Sequence, residues 1–168
     1  MNGNEKLSLA GKLQASDWDK ITARAEALMH EHKFGCSESL LLAFQEVLGE
    51  GVLPPSAVAM ASAFRGGMGG AGCVCGALAG AEMVMGAFFG YYGQADGRQD
   101  PEQTKKSRDL FKELHDEFRR ANGATCCRSL TKNLSPGSPE RNGKCSTLTR
   151  SAAFLAGGLI ARQSNCKD

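Results

Sequence analysis

Apolar residues recur at three-and-four spacing along most of the chain, and strand-like alternation of β-branched residues is nearly absent, so the pattern predicts an all-α fold. The first stripe is Trp18, Ile21, Ala25, Leu28 and Met29, with Ser16 placed to cap it and Gly35 to end it. A second helix begins near Cys36 or Ser37 and carries Leu40, Leu41, Phe44, Val47 and Leu48 up to Gly49 and Gly51. Pro54 and Pro55 suit the first turn of a third, whose Ala57, Val58, Met60, Ala61 and Phe64 lead into the glycine-rich loop 65–72. The fourth is expected from about Cys73 to Tyr91. Gly72, Gly76 and Gly80 fall four apart, as do Gly86 and Gly90, and such rows of small residues let another backbone approach closely. This glycine-rich helix is expected at the centre of the fold.

Asp100-Pro101-Glu102-Gln103 is a strong start signal for the amphipathic helix of Leu110, Phe111, Leu114 and Phe118, which Asn122-Gly123 ends. A short helical turn is expected over 125–132 and a loop over 135–144. A last helix from about Cys145 to Arg162 turns Leu148, Ala152, Leu155 and Leu159 inward. Together these segments predict one compact bundle of about five to six helices across residues 1–168, with 1–15 flexible.

The 168 residues carry a formal net charge of +2, and no basic run with interleaved aromatics stands out, which argues against a nucleic-acid partner. The longest apolar stretch, Ala71 to Gly93, contains Glu82 and is diluted by glycine and alanine, so it reads as a buried core helix and not as a membrane span. Met1 to Lys20 shows no export signal, which points to a cytoplasmic protein. Phe88, Phe89, Tyr91 and Tyr92 form an aromatic group suited to a core or an interface, and a small bundle of this kind allows a homodimer.

Cysteine usage changes the picture from fold to chemistry. Seven cysteines, at 36, 73, 75, 126, 127, 145 and 166, are many for a chain in a reducing compartment, where such residues more often bind metal or do redox work than form structural bridges. Cys36, Cys75, Cys127 and Cys145 each fall at or near an expected helix start. Unsatisfied N–H groups and partial positive charge there favour thiolate over thiol and stabilise bound anionic clusters. Four such ends converging would make a four-thiolate metal site. No Cys-x-x-Cys pair occurs, which disfavours a zinc ribbon, and no Cys-x-x-Cys-His, so covalent haem attachment is not supported. The competing reading is that the cysteines are small hydrophobes in an alanine-rich core.

Three other features bear on the site. Gly67 to Gly72 matches G-x-G-x-x-G, yet no strand precedes it, so dinucleotide binding is disfavoured. Gly69, Gly70, Gly72 and Gly76 are instead expected to bring backbone N–H groups to the cysteine site. His32 stands four residues before Cys36 and could complete a mixed metal site, though a solvent-facing histidine is the more ordinary outcome. Glu82 lies two helical turns, about 10 Å, beyond Cys75 and is either a proton relay or a satisfied carboxylate.

Gly35-Cys36-Ser37-Glu38-Ser39-Leu40, the loop leading to Cys75-Gly76-Ala77-Leu78-Ala79-Gly80, Cys127-Arg128-Ser129-Leu130 and Cys145 resemble the redox-active family named for a C…GCAxxG…C…C cysteine pattern, a domain also found in split-Soret cytochromes. The family's second motif runs Gly-Cys-Ala, whereas this chain has Cys75-Gly76-Ala77, with Gly72 as the nearby upstream glycine. Cys73 and Cys126 are alternates for their neighbours. The resemblance implies redox activity, and the split-Soret relatives suggest a [2Fe–2S] centre, with the redox partner unnamed. Two other readings stay open, a metal-free thiol–disulfide protein and a structural zinc module. If helix starts tune these thiols, Cys75 should have a depressed pKa and alkylate early, and the four sulfurs should converge.

Overall fold

A computed structural model of the chain describes residues 3–31, 34–90 and 100–165, and among these it contains helices and no strand. The helices are α1 (Gly3–Ala10), α2 (Ala15–His30), α3 (Cys36–Leu48), α4 (Pro55–Ala61), α5 (Gly76–Phe89), α6 (Pro101–Asn122), α7 (Cys127–Leu130) and α8 (Pro139–Asn165), with a single 3₁₀ turn, Ser62–Phe64, after α4. The all-α expectation holds. More segments form than the five to six expected, because short helices at α1 and α7 add to the main stripes. Tyr91, Tyr92, His32 and Cys166 lie outside the described residues.

Local chemistry sets most of the boundaries. The α2 start falls at Gln14, two residues before the expected Ser16, because Asp17 reaches back to accept the Gln14 N–H at 3.0 Å. Glu38 does the same for α3, accepting the Gly35 N–H at 2.9 Å, so Cys36 opens that helix. Asp100 caps α6 as expected, accepting from the N–H groups of Glu102 and Gln103, and Gly123 ends it at φ +85°. These are the orphan backbone donors and acceptors that every helix end must satisfy.

Three expectations are corrected. Within the segment expected to be flexible, Gly3–Ala10 is the helix α1, which packs on α5 and α8 with Ala10 buried, while the Lys6 ammonium donates to the Ala87 carbonyl at 2.8 Å. The expected loop 135–144 is helical from Pro139 onward: Ser138 accepts the Arg141 N–H, Pro139 occupies the first turn, and Gly143 is carried inside the helix. Cys145 therefore lies nearly two turns into α8 and not at its start. The central helix is also shorter at its beginning than expected, with Cys75 as its cap and Gly76 its first residue.

α5 is the buried centre, packed against α3, α6 and α8, and ten of its residues, from Gly76 to Phe89, are buried. Around it, Phe44, Leu40 and Leu41 of α3, Leu114 and Phe118 of α6, and Leu148 and Leu159 of α8 are all at most 1 % exposed. Each such side chain contributes about 1.5–3 kcal/mol when fully removed from water. Gly76 and Gly80 set how close α3 can come. A Cβ on Gly80 would lie 3.0 Å from both the Ser37 Cα and its carbonyl oxygen, and one on Gly76 would lie 2.9 Å from the Phe64 carbonyl. Gly86 has nothing within 4 Å of a built Cβ, so only part of the glycine row is used for close packing.

Glu82 sits half-buried on α5, and desolvation pushes its carboxyl up to about 7. It is not among the residues lining the cysteine cavity described below.

Two outcomes follow from this packing. Gly80→Ala places a Cβ against backbone that has no flexible side chain to yield, and should lower stability by about 1–3 kcal/mol; an unchanged denaturation midpoint would contradict the close approach of α5 and α3. Glu82 has a folded pKa above its ordinary 4.5, so it favours the fold while protonated, and that stability is lost as pH rises through about 7. Glu82→Gln should melt higher than the parent at pH 8 and match it near pH 4, as read by thermal denaturation at the two pH values.

Candidate functional site

Cys36, Cys75, Cys127 and Cys145 come together. All four line a single cavity of about 440 Å³, whose walls also include Met29, Phe34 and Leu148 and the cations Arg65 and Arg141. Each thiol arrives on a different element. Cys36 is the first residue of α3, Cys75 the cap of α5, Cys127 the first residue of α7, and Cys145 projects from the interior of α8. None of the six described cysteines is in a disulfide. Cys73 is exposed and Cys126 half-buried, and neither lines the cavity.

The loop before α5 makes this convergence possible. Gly67, at φ +76°, lies so close to α7 that a Cβ there would meet the Cys127 Cβ at 2.9 Å and the Cys73 carbonyl oxygen at 2.7 Å. Two backbone bonds then fasten the loop to the segment before and at α7: the Cys75 N–H donates to Thr125 O at 2.7 Å, and the Arg128 N–H to Gly72 O at 3.1 Å. Gly76, in turn, leaves room for Cys36, whose Cβ lies 3.5 Å from the Cβ position that Gly76 lacks.

The glycines expected to aim N–H groups at the site do something else. The amides of Gly67, Gly69, Gly70, Ala71 and Gly72 are spent on carbonyls of residues 63–68, within the 3₁₀ turn and the loop. Gly69 and Gly70 are exposed, at φ +64° and +86°, with nothing within 4 Å of a built Cβ, and of the four expected glycines only Gly76 lines the cavity. They shape a tight left-handed loop that no L side chain readily follows.

Charge is distributed unevenly over the thiols. Cys36 and Cys145 share a hydrogen bond in which Cys36 keeps its proton: that contact and burial hold the Cys36 thiol well above its ordinary range. Cys145 is drawn down to about 7, first by the hydrogen bond from Cys36 and then, against burial, by Arg141 and Lys144. The Arg141 guanidinium donates to the Leu134 carbonyl at 3.3 Å and reaches the Cys127 sulfur at 4.0 Å, so one cation serves two of the thiols. Cys75 departs from expectation. Burial pushes its thiol up to about 11, outweighing the Leu78 and Ala77 amides that pull the other way. A helix cap favours thiolate only where the sulfur keeps some solvent, and Cys75 is 3 % exposed.

Arg141 and Arg65 were not foreseen. Arg141 precedes Cys145 by one helical turn, i to i+4, so the signal was present but hidden by reading 135–144 as a loop. Arg65 pairs with Glu38, which itself caps α3, and so ties the glycine loop to the helix that begins with Cys36.

Among the described residues no three His, Cys, Asp or Glu side chains are grouped to hold a single metal ion, and no helix is long and apolar enough to cross a membrane. In metal-free, reduced protein at pH 7, iodoacetamide should label Cys145 before Cys75, with a rate that rises through about pH 7, and Arg141→Gln should move that rise upward. Equal rates for the two cysteines by peptide mass mapping would contradict this assignment of charge.

A family model described as "Putative redox-active protein (C_GCAxxG_C_C)" matches residues 34–158. No curated protein and no solved structure matches the chain.

Proposed function

We propose, since the chain belongs to the redox-active family named for its C…GCAxxG…C…C pattern, that Cys36, Cys75, Cys127 and Cys145 together ligate an iron–sulfur cluster and that the protein transfers electrons through it. The observation that carries this reading is the meeting of four unpaired thiols, from four separate elements, on one cavity. Iron–sulfur clusters take four thiolates.

When bound, the cluster supplies the electron-carrying couple. The chain's own residues supply the rest. Met29, Phe34 and Leu148 line the apolar side of the cavity and limit water. Arg141 offsets negative charge at Cys127 and Cys145, and the Leu78 and Ala77 amides face the Cys75 sulfur. Cys73 and Cys126 stay outside the ligand set.

Anaerobically purified protein should be brown, with iron and acid-labile sulfide in matching amounts. Alanine at any of the four cavity cysteines should abolish the colour, while Cys73→Ala and Cys126→Ala should retain it. Protein that stays colourless and iron-free after anaerobic reconstitution with iron and sulfide would overturn the cluster.

The Cys36–Cys145 hydrogen bond favours a second reading, a reversible disulfide. The Cys145 thiolate would attack a small-molecule disulfide, releasing one thiolate. Cys36 would then resolve the mixed disulfide, releasing the second as a thiol, so the protein loses two electrons and the oxidant gains them. Metal-free protein treated with oxidised glutathione should then lose two thiols and yield a Cys36–Cys145 linked peptide.

A further inference from the structure

A second pocket, of about 390 Å³, adjoins the cysteine cavity and shares Arg141 with it. The glycine loop forms one wall through Gly66, Gly70 and Gly72. The other side carries three cations, Arg128, Lys132 and Arg141, and no carboxylate is among the lining residues. Three cations around one concavity, with no carboxylate in its lining, leave a positive potential there that favours an anion.

The two arginines are already aimed. Arg128 donates to the Ala71 carbonyl at 2.7 Å and Arg141 to the Leu134 carbonyl at 3.3 Å, contacts that fix the guanidinium groups without neutralising them. Two guanidinium forks and one ammonium match the several oxygens of a phosphoryl group. Because the loop's amides are spent close by, recognition falls to these side chains, and the loop serves as a thin wall that lets a ligand come close.

We propose that this pocket binds the phosphoryl group of a small molecule, held by Arg128, Lys132 and Arg141 beside the thiol cavity. A concave pocket suits such a ligand better than an acidic protein, which would need a broad face. Arg141 lines both cavities, so the pocket and the thiol site share a wall. The binding step itself does not rest on the cluster.

The test is titration of inorganic phosphate and of pyrophosphate into the full-length protein in metal-free, reduced form, followed by calorimetry and by ³¹P line broadening. Saturable one-to-one binding is expected. It should weaken at least tenfold in the Arg128→Gln/Lys132→Gln double variant and measurably in Lys132→Gln alone, a surface change that leaves the fold intact. No binding in the parent protein, equal binding in both variants, or binding of polyglutamate where both phosphates fail would each overturn the proposal. Because the measurement is made without metal, it can fail while the cluster stands, and the reverse.

Discussion

The cysteine cavity depends on how closely two backbones can approach at Gly76 and Gly80. With no side chain at either position, α5 presses directly onto Ser37 at the start of α3 and onto the Phe64 carbonyl, and this brings Cys36 and the Cys75 cap to the same end of the bundle. Gly67 repeats the device on the far side, where its bare Cα admits the Cys127 side chain. Three missing methyl groups thus bring together thiols separated by dozens of residues. The buried Ser37 hydroxyl donates to the Ala61 carbonyl at 2.7 Å and so ties the start of α3 to the end of α4, next to the turn that carries Phe64.

Burial and charge then divide the four sulfurs into unequal roles. Cys75 is the most deeply enclosed, and two amides do not repay the loss of water. Cys145 retains partial solvent access and has Arg141 one turn away, so negative charge settles there first. The contrast shows desolvation outweighing helix-end electrostatics when the two compete at a fully buried thiol. A metal cluster bound by all four would have to remove protons from Cys36 and Cys75 against that gradient, which makes loading pH-dependent.

Much of the fold was legible because its signals are local. The stripes of α2, α3 and α6 appear directly as three-and-four spacing, and Asp100-Pro101 marks its helix start without ambiguity. What the sequence hid was competition between local cues. Ser135, Pro136, Gly137 and Pro139 read together as a loop, although Ser138-Pro139-Glu140 within them is itself a helix start, and that misreading concealed Arg141. The grouping of the four cysteines was legible from their positions at predicted element starts, even though Cys145 proves to be mid-helix. Their individual proton affinities were not, because these depend on burial that only the packed bundle creates.

The paired backbone bonds from Cys75 to Thr125 and from Arg128 to Gly72 act as a two-point latch. Parting the glycine loop from the segment entering α7 means releasing both at once, so that wall moves as a unit or not at all. The opposite rim, Pro136 and Gly137, is exposed and bears no comparable fastening to the loop. The cavity thus meets solvent at Pro136 and Gly137, on the side where α8 begins, with Arg141 in the wall beside them.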